Sequence, residues 1–188
     1  GRLTGEISIV NQRHSALRER KRLDDLGGDL EAYLRKYQFT GMEDARFLES
    51  DIENLDLPGE PLTTEASVTS ESFVEVAEDV IIVKPMMIKQ LQENPFPKED
   101  RLTPVDLWHP LRDSHLIGLR LPEGYEVAQL PQPIKVALPN KAGLFIYNVM
   151  QDGDILHLSS SIFLNQTVFV PQEYQNLRTF FEYIVEKH

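Results

Sequence analysis

Cysteine is absent from this 188-residue chain, which removes disulfides, thiolate metal ligands and cysteine nucleophiles together. Tryptophan occurs once. No apolar run approaches the roughly 18 residues that cross a bilayer as a helix. Basic charge is scarce: 19 Lys and Arg stand against 30 Asp and Glu, for a net charge of −11. Such a surface repels phosphate backbones, so nucleic acid is not an expected partner. Nucleophile elbows, P-loops and H-E-x-x-H motifs are all missing. The five histidines (His14, His109, His115, His157, His188) lack ligand spacing, and no cofactor is expected.

What is there is an ordinary globular composition, 41% hydrophobic and 26% charged, with enough length for one domain. That domain has two β-rich halves, 1–93 and 94–188, as its alternative description. The acidity is local. Glu43, Asp44, Glu49, Asp51, Glu53, Asp56, Glu60, Glu65, Glu71, Glu75, Glu78 and Asp79 face a single base, Arg46, within residues 43–82. Outside that segment acids and bases balance. The plain reading is a solvated strand face; a sharper one makes Glu49, Asp51 and Glu53, on one side of a strand, half of a Ca²⁺ site.

Periodicity places the elements. "RLTGEISIV" (2–10) alternates as a strand. Ala16, Leu23, Leu26, Leu30, Tyr33, Leu34 and Tyr37 recur near helical spacing over about 15–37, with Ser15 as N-cap, a break at Gly27-Gly28 and Asp29 as a second cap. The basic cluster Arg18, Arg20, Lys21 and Arg22 is interleaved with Glu19, Asp24 and Asp25, which neutralise it. Residues 44–57 read as an acid-rich strand, and 63–83 as one half-buried strand with Ala66, Val68, Val74 and Val76 inward. Further strands follow in "LIGLRL", "GYEVAQL", "IKVAL", "GLFIYNVMQ" and "DILHLSSSIFLNQ", the last two joined by a type I′ turn at Asp152-Gly153. A closing helix over about 171–187 carries Tyr174, Leu177, Phe181 and Ile184 on one stripe. The sum is an α+β fold, mainly antiparallel β and sandwich-like.

The segment "NPFPKEDRLTPVDLWHP" (94–110) concentrates reactive residue types, and Asp106 with His109 forms a conceivable acid–base pair. Prolines 95, 97, 104 and 110 argue instead for a stiff crossing between β-rich halves. On that reading Trp108 is a buried anchor and Arg101 pairs with Asp106. Trp108, Tyr125, Phe145 and Tyr147 are also candidates for a stacking platform that takes a glycan or peptide.

"NPFPKEDRLTPVDL", "LRLPEGYEVAQLPQP" and "EYQNLRTFFEYIVEK", with "LTGEISIVNQRHSALRER" ahead of them, resemble in order and spacing the C-terminal region of bacterial transglutaminase-like proteins, often labelled cysteine proteases. The resemblance implies a C-terminal β-sandwich behind a β-rich domain and a central papain-type catalytic domain. It places the Cys-His-Asp machinery in that central domain, so no catalytic residue carries over to this chain. What carries over, as a structural signature, is Asn94, Pro95, Phe96, Arg101, Pro104, Val105, Asp106 and Trp108, with Leu121, Pro122, Gly124 and Tyr125. The expectation is a non-catalytic accessory domain, a fragment of a larger exported protein, periplasmic or at the cell surface, that packs on the catalytic domain of the same parent chain. A stand-alone module with a peptide or glycan ligand is the alternative.

Overall fold

The computed structural model describes residues 2–39, 44–71, 74–78, 80–84, 86 and 91–188. Its centre is a seven-stranded antiparallel sheet. In chain order the strands are β1 (Leu3–Asn11), β2 (Arg46–Glu53), β3 (Leu62–Ser70), β7 (Leu111–Arg120), β8 (Ile134–Ala137), β9 (Gly143–Asp152) and β10 (Ile155–Leu164), arranged as β2-β3-β1-β7-β10-β9-β8. Two small ribbons flank it: β4 (Val74–Ala77) with β5 (Val80–Val83), and β6 (Val105–Asp106) with β11 (Val168–Phe169).

Alternation decides which side of the sheet is covered. Ile7 of β1 pairs in register with Ala66 on β3 and Ile117 on β7, Leu3, Ile9 and Val68 share its side, and that side continues through Leu158, Ile162, Phe145 and Tyr147. Helix α1 (His14–Asp24) lies over β1 and β7, α2 (Leu30–Tyr33) against β2, and α3 (Tyr174–Lys187) over β8 and β9. The fold is therefore α+β and sandwich-like, with the sheet as one layer and the helices as the other. Tyr174, Leu177, Phe180, Phe181 and Ile184 bury the α3 stripe. At about 1.5–3 kcal/mol per large apolar side chain, that docking is a main source of stability.

Several expectations are corrected. Ser15 does not cap α1; it sits inside the helix, buried, and the cap position is Arg13 at φ 53°. The second helix starts as expected, with the Asp29 carboxylate accepting the Ala32 N–H at 2.9 Å, after Gly27 and Gly28 turn the chain at φ 67° and 82°. One turn of wide helix, Leu34–Gln38, extends it. Residues 63–83 are not one strand. The sheet strand ends at Ser70, and Val76 in the β4–β5 ribbon is half exposed. "GYEVAQL" is loop; Pro122, Pro131 and Pro133 flank it, and their fixed φ and missing N–H groups stop a strand from running on at either end. In the β9–β10 hairpin Asp152 pairs with Ile155, so the two turn residues are Gly153-Asp154 and only Gly153 has positive φ. That is the signature of a type II′ turn rather than type I′. The segment 85–96 reads in the sequence as a last strand running into a short helical turn; Pro85 and residues 87–90 lie outside the described residues, and 91–96 form no strand or helix.

The basic cluster is absorbed by the fold. Arg18 and Arg22 bond the buried Glu19 carboxylate at 3.0 Å each, Lys21 pairs with Asp25 at 3.2 Å, and Arg20 donates to the carbonyls of Asn54, Leu55, Leu57 and Glu60. Arg20 thus clamps the β2–β3 loop to α1.

Candidate functional site

The face of the sheet opposite the helices carries a groove of about 1210 Å³. Strand register lays its side chains out in two rows. One runs Asp51, Glu65, Ser8, Leu116, Ser159, Asn148; the next runs Glu49, Ser67, Glu6, Gly118, His157, Met150. A bulge in β2 between Phe47 and Glu49 keeps Phe47 on the covered side while the acids after it face outward. Glu6, Glu49, Asp51 and Glu65 therefore lie on three adjacent strands, within a patch about 10 Å by 7 Å from ordinary strand spacings. Among the described residues none of the four side chains makes a hydrogen bond or ion pair. Beside them Leu116 and Met150 are 51% and 54% exposed. Gly118 forms the floor: a Cβ there would meet nothing closer than 3.8 Å.

Glu49, Asp51 and Glu53 do share the open face, but they stand side by side along an edge strand rather than converging. Among the described residues no three His, Asp or Glu side chains are placed to hold a metal ion.

The signature residues of 94–110 strap α3. Asn94 donates to the Arg178 carbonyl at 2.9 Å, and its side-chain oxygen accepts the Phe96 N–H. Phe96 is buried edge-on to Tyr174 and Phe181, with ring centroids at 6.1 and 5.2 Å. Tyr174 donates to the Lys98 carbonyl at 2.8 Å, and Gln175 to that of Glu99. Val105 is buried where β6 pairs with β11; Pro95, Arg101 and Pro104 are exposed. The anchor of the crossing is thus Phe96, and the expectation for Trp108 is overturned. Trp108 is 89% exposed at φ 64°. The Asp106 carboxylate accepts its N–H at 2.8 Å, and a tight His109 N–H to Leu107 carbonyl bond of 2.7 Å closes the turn that points the indole outward.

Arg101 donates to the Thr103 carbonyl instead of pairing with Asp106. No hydrogen bond or ion pair joins Asp106 to His109 either. The His109 Nδ1 is 3.1 Å from the Pro110 carbonyl and its ring stacks on His14 at 4.6 Å, so the acid–base pair is not assembled. The four aromatics form no platform: Phe145 and Tyr147 are core, while Trp108 and Tyr125 lie beyond opposite ends of β7, which is roughly 30 Å long. Leu121, Pro122, Gly124 and Tyr125 make a turn in which the Tyr125 N–H reaches the Pro122 carbonyl at 3.2 Å and Gly124 takes φ 85°, the third position of a type II turn.

A half-buried polar cluster around the buried Ser160 has no signal in the sequence. His188 Nε2 is 2.9 Å from Ser160 Oγ, and its Nδ1 accepts the Leu91 N–H at 3.4 Å. With Nδ1 as acceptor, the proton sits on Nε2 and is donated to Ser160, the reverse of nucleophile activation. Burial holds the His188 pKa down at about 4 and pushes Tyr147 beside it up to about 12. Tyr33, buried against the Glu19 carboxylate, is raised further still.

A family model described as "Domain of Unknown Function with solved-structure structure (DUF3858)" matches residues 79–188, more than half of the chain. The chain belongs to that family. The DUF3858 match takes in β7, β8, β9 and β10 of the sheet, the 94–110 strap and α3, while β1, β2 and β3 precede it. No curated protein matches the chain, and no solved structure does. The open groove straddles the boundary of the DUF3858 match, with its carboxylates on β1, β2 and β3 and its Gly118 floor on β7.

Proposed function

We propose that this chain is a non-catalytic accessory domain of a larger transglutaminase-like cysteine hydrolase, seated against its catalytic domain and helping to hold the substrate. The observation that carries the reading is the one-sided sheet. Seven strands bury one face under helices and leave the other as a groove with exposed Leu116 and Met150, a surface suited to a bound partner. The motif resemblance supplies the parent, and the lack of cysteine leaves the Cys-His-Asp chemistry of such a parent to a different domain. Export to the periplasm or cell surface goes with the same reading. The test is to assay the purified chain on small amide and acyl-acceptor substrates, with and without the separately expressed catalytic domain. No turnover by the chain alone is expected; robust turnover by it would sink the proposal.

A second reading is favoured by one specific observation, the exposure of Trp108. A lone indole held outward by strained backbone serves a binding module for peptide or glycan. Because the chain has a single tryptophan, its fluorescence reports directly: a blue shift on titration with chitooligosaccharide or with a mixed peptide pool supports this reading. An unchanged spectrum discards it.

A further inference from the structure

We infer that the open-face groove binds an extended peptide segment bearing lysine or arginine. The inference rests on the reading of this face as an interface, and it specifies the chemistry of the occupant. Asp51 and Glu65 are directly opposite each other across β2 and β3, an arrangement of like charges that weakens a sheet. Glu49 and Glu6 flank Ser67 one row away. Arg120, which lines the groove, is already paired with Asp154 at 2.6 Å, and Arg46, one row beyond Glu49 on the same face of β2, forms no ion pair with any of the four among the described residues. Four carboxylates thus outnumber the single arginine beside them and form no ion pair among the described residues, and the partner is what supplies the missing positive charge.

The rest of the groove narrows the partner to a peptide. Beyond the acids lie Ser8, Ser159 and Asn148, whose hydroxyls and amide suit a polar backbone, and Leu116, on the strand next to Glu6, on which the aliphatic stem of a lysine or arginine rests while its head reaches the carboxylates. Six strands at about 4.8 Å spacing make the groove about 24 Å across, the reach of roughly seven extended residues. Gly118 leaves the floor open where that chain would pass. A nucleic acid would be repelled by the same four acids, and a single divalent cation finds no converging ligand set.

The test uses the whole chain and a capped seven-residue peptide alternating lysine and serine, titrated calorimetrically at physiological salt beside spermine. Three variants are compared after their thermal unfolding is checked: Gly118→Val, which fills the floor at an open strand position; Glu6→Gln with Glu65→Gln; and, as a charge-matched control, Glu78→Gln with Glu126→Gln, both exposed and away from the groove. The expected result is at least tenfold weaker peptide binding in the first two and less than twofold change in the control. Equal loss in groove and control variants, or spermine binding as tightly as the peptide, would overturn the inference. Because no catalytic domain is present in the titration, its outcome is separate from the turnover assay above.

Discussion

His188 shows at the residue scale how burial sets chemistry. Its folded pKa of about 4 lies below the ordinary 6.5, so the unfolded chain binds a proton that the folded one refuses. The stability from keeping the ring neutral is complete above pH 6.5 and is lost as pH falls from 6.5 towards 4, by up to about 3 kcal/mol at 1.36 kcal/mol per pK unit. His188→Gln, which keeps a donor for Ser160 but does not titrate, is expected to flatten that part of the profile. Urea denaturation of both proteins between pH 7 and 4 measures the difference. Glycine gives a second contrast. A Cβ on Gly143 would come within 2.8 Å of both Leu138 Cδ1 and Leu164 Cδ2, so Gly143→Ala is expected to cost about 1–3 kcal/mol by overpacking. Gly118→Val is expected to be neutral or slightly stabilising, since the space is open and valine suits a strand.

At the scale of elements, the 94–110 strap divides into a half that holds the fold and a half that faces outward. Phe96, buried between Tyr174 and Phe181, ties the strap to α3, and Phe96→Ala is expected to lower unfolding free energy by about 3–5 kcal/mol. Trp108→Gly removes only an exposed ring and relieves a left-handed backbone, so stability is expected to stay level or rise by about 1 kcal/mol. Chemical denaturation followed by far-UV circular dichroism compares the two. If Trp108→Gly proved the more damaging, the assignment of the anchor to Phe96 would be wrong. Helix α2 depends on one residue in a similar way: loss of the Asp29 cap by Asp29→Ala should cost about 1 kcal/mol.

For the whole molecule, the β1–β7 pairing is decisive. It runs from Gly5↔Leu119 to Asn11↔Asp113 and joins the strands that precede the family match to those within it, over one shared core. The full chain is expected to unfold in a single transition, with circular dichroism and tyrosine absorbance coinciding. A fragment limited to residues 79–188 would expose the β7 edge and half of that core. It is expected to unfold without cooperativity or to aggregate, as calorimetry and light scattering would show. Two separate transitions in the full chain would show instead that the halves fold independently.

Much of this architecture was legible residue by residue. Alternation in "LTGEISIVN" placed Ile7 and Ile9 inward and Glu6 and Ser8 outward, and the 3,4,3 spacing from Tyr174 to Ile184 announced the docked helix, because both signals are local consequences of backbone geometry. Where local pattern misled, pairing was the reason. Val74 and Val76 continue the alternation of β3, yet the sheet ends at Ser70 and they pair with β5 instead. Trp108 lies between Leu107 and His109 in a segment that reads as core, but side-chain and turn hydrogen bonds rotate it into water. The Glu49 row was visible, while its meeting with Glu65 and Glu6 around an empty Gly118 was not. Residue order alone sets which face of each strand is apolar and where the chain is charged; which strands are neighbours, and in what register, is set by packing in three dimensions. Register belongs to pairs of strands, each free in the unfolded chain to slide past the other, and it is burial of one common face that selects the alignment and so assembles the groove.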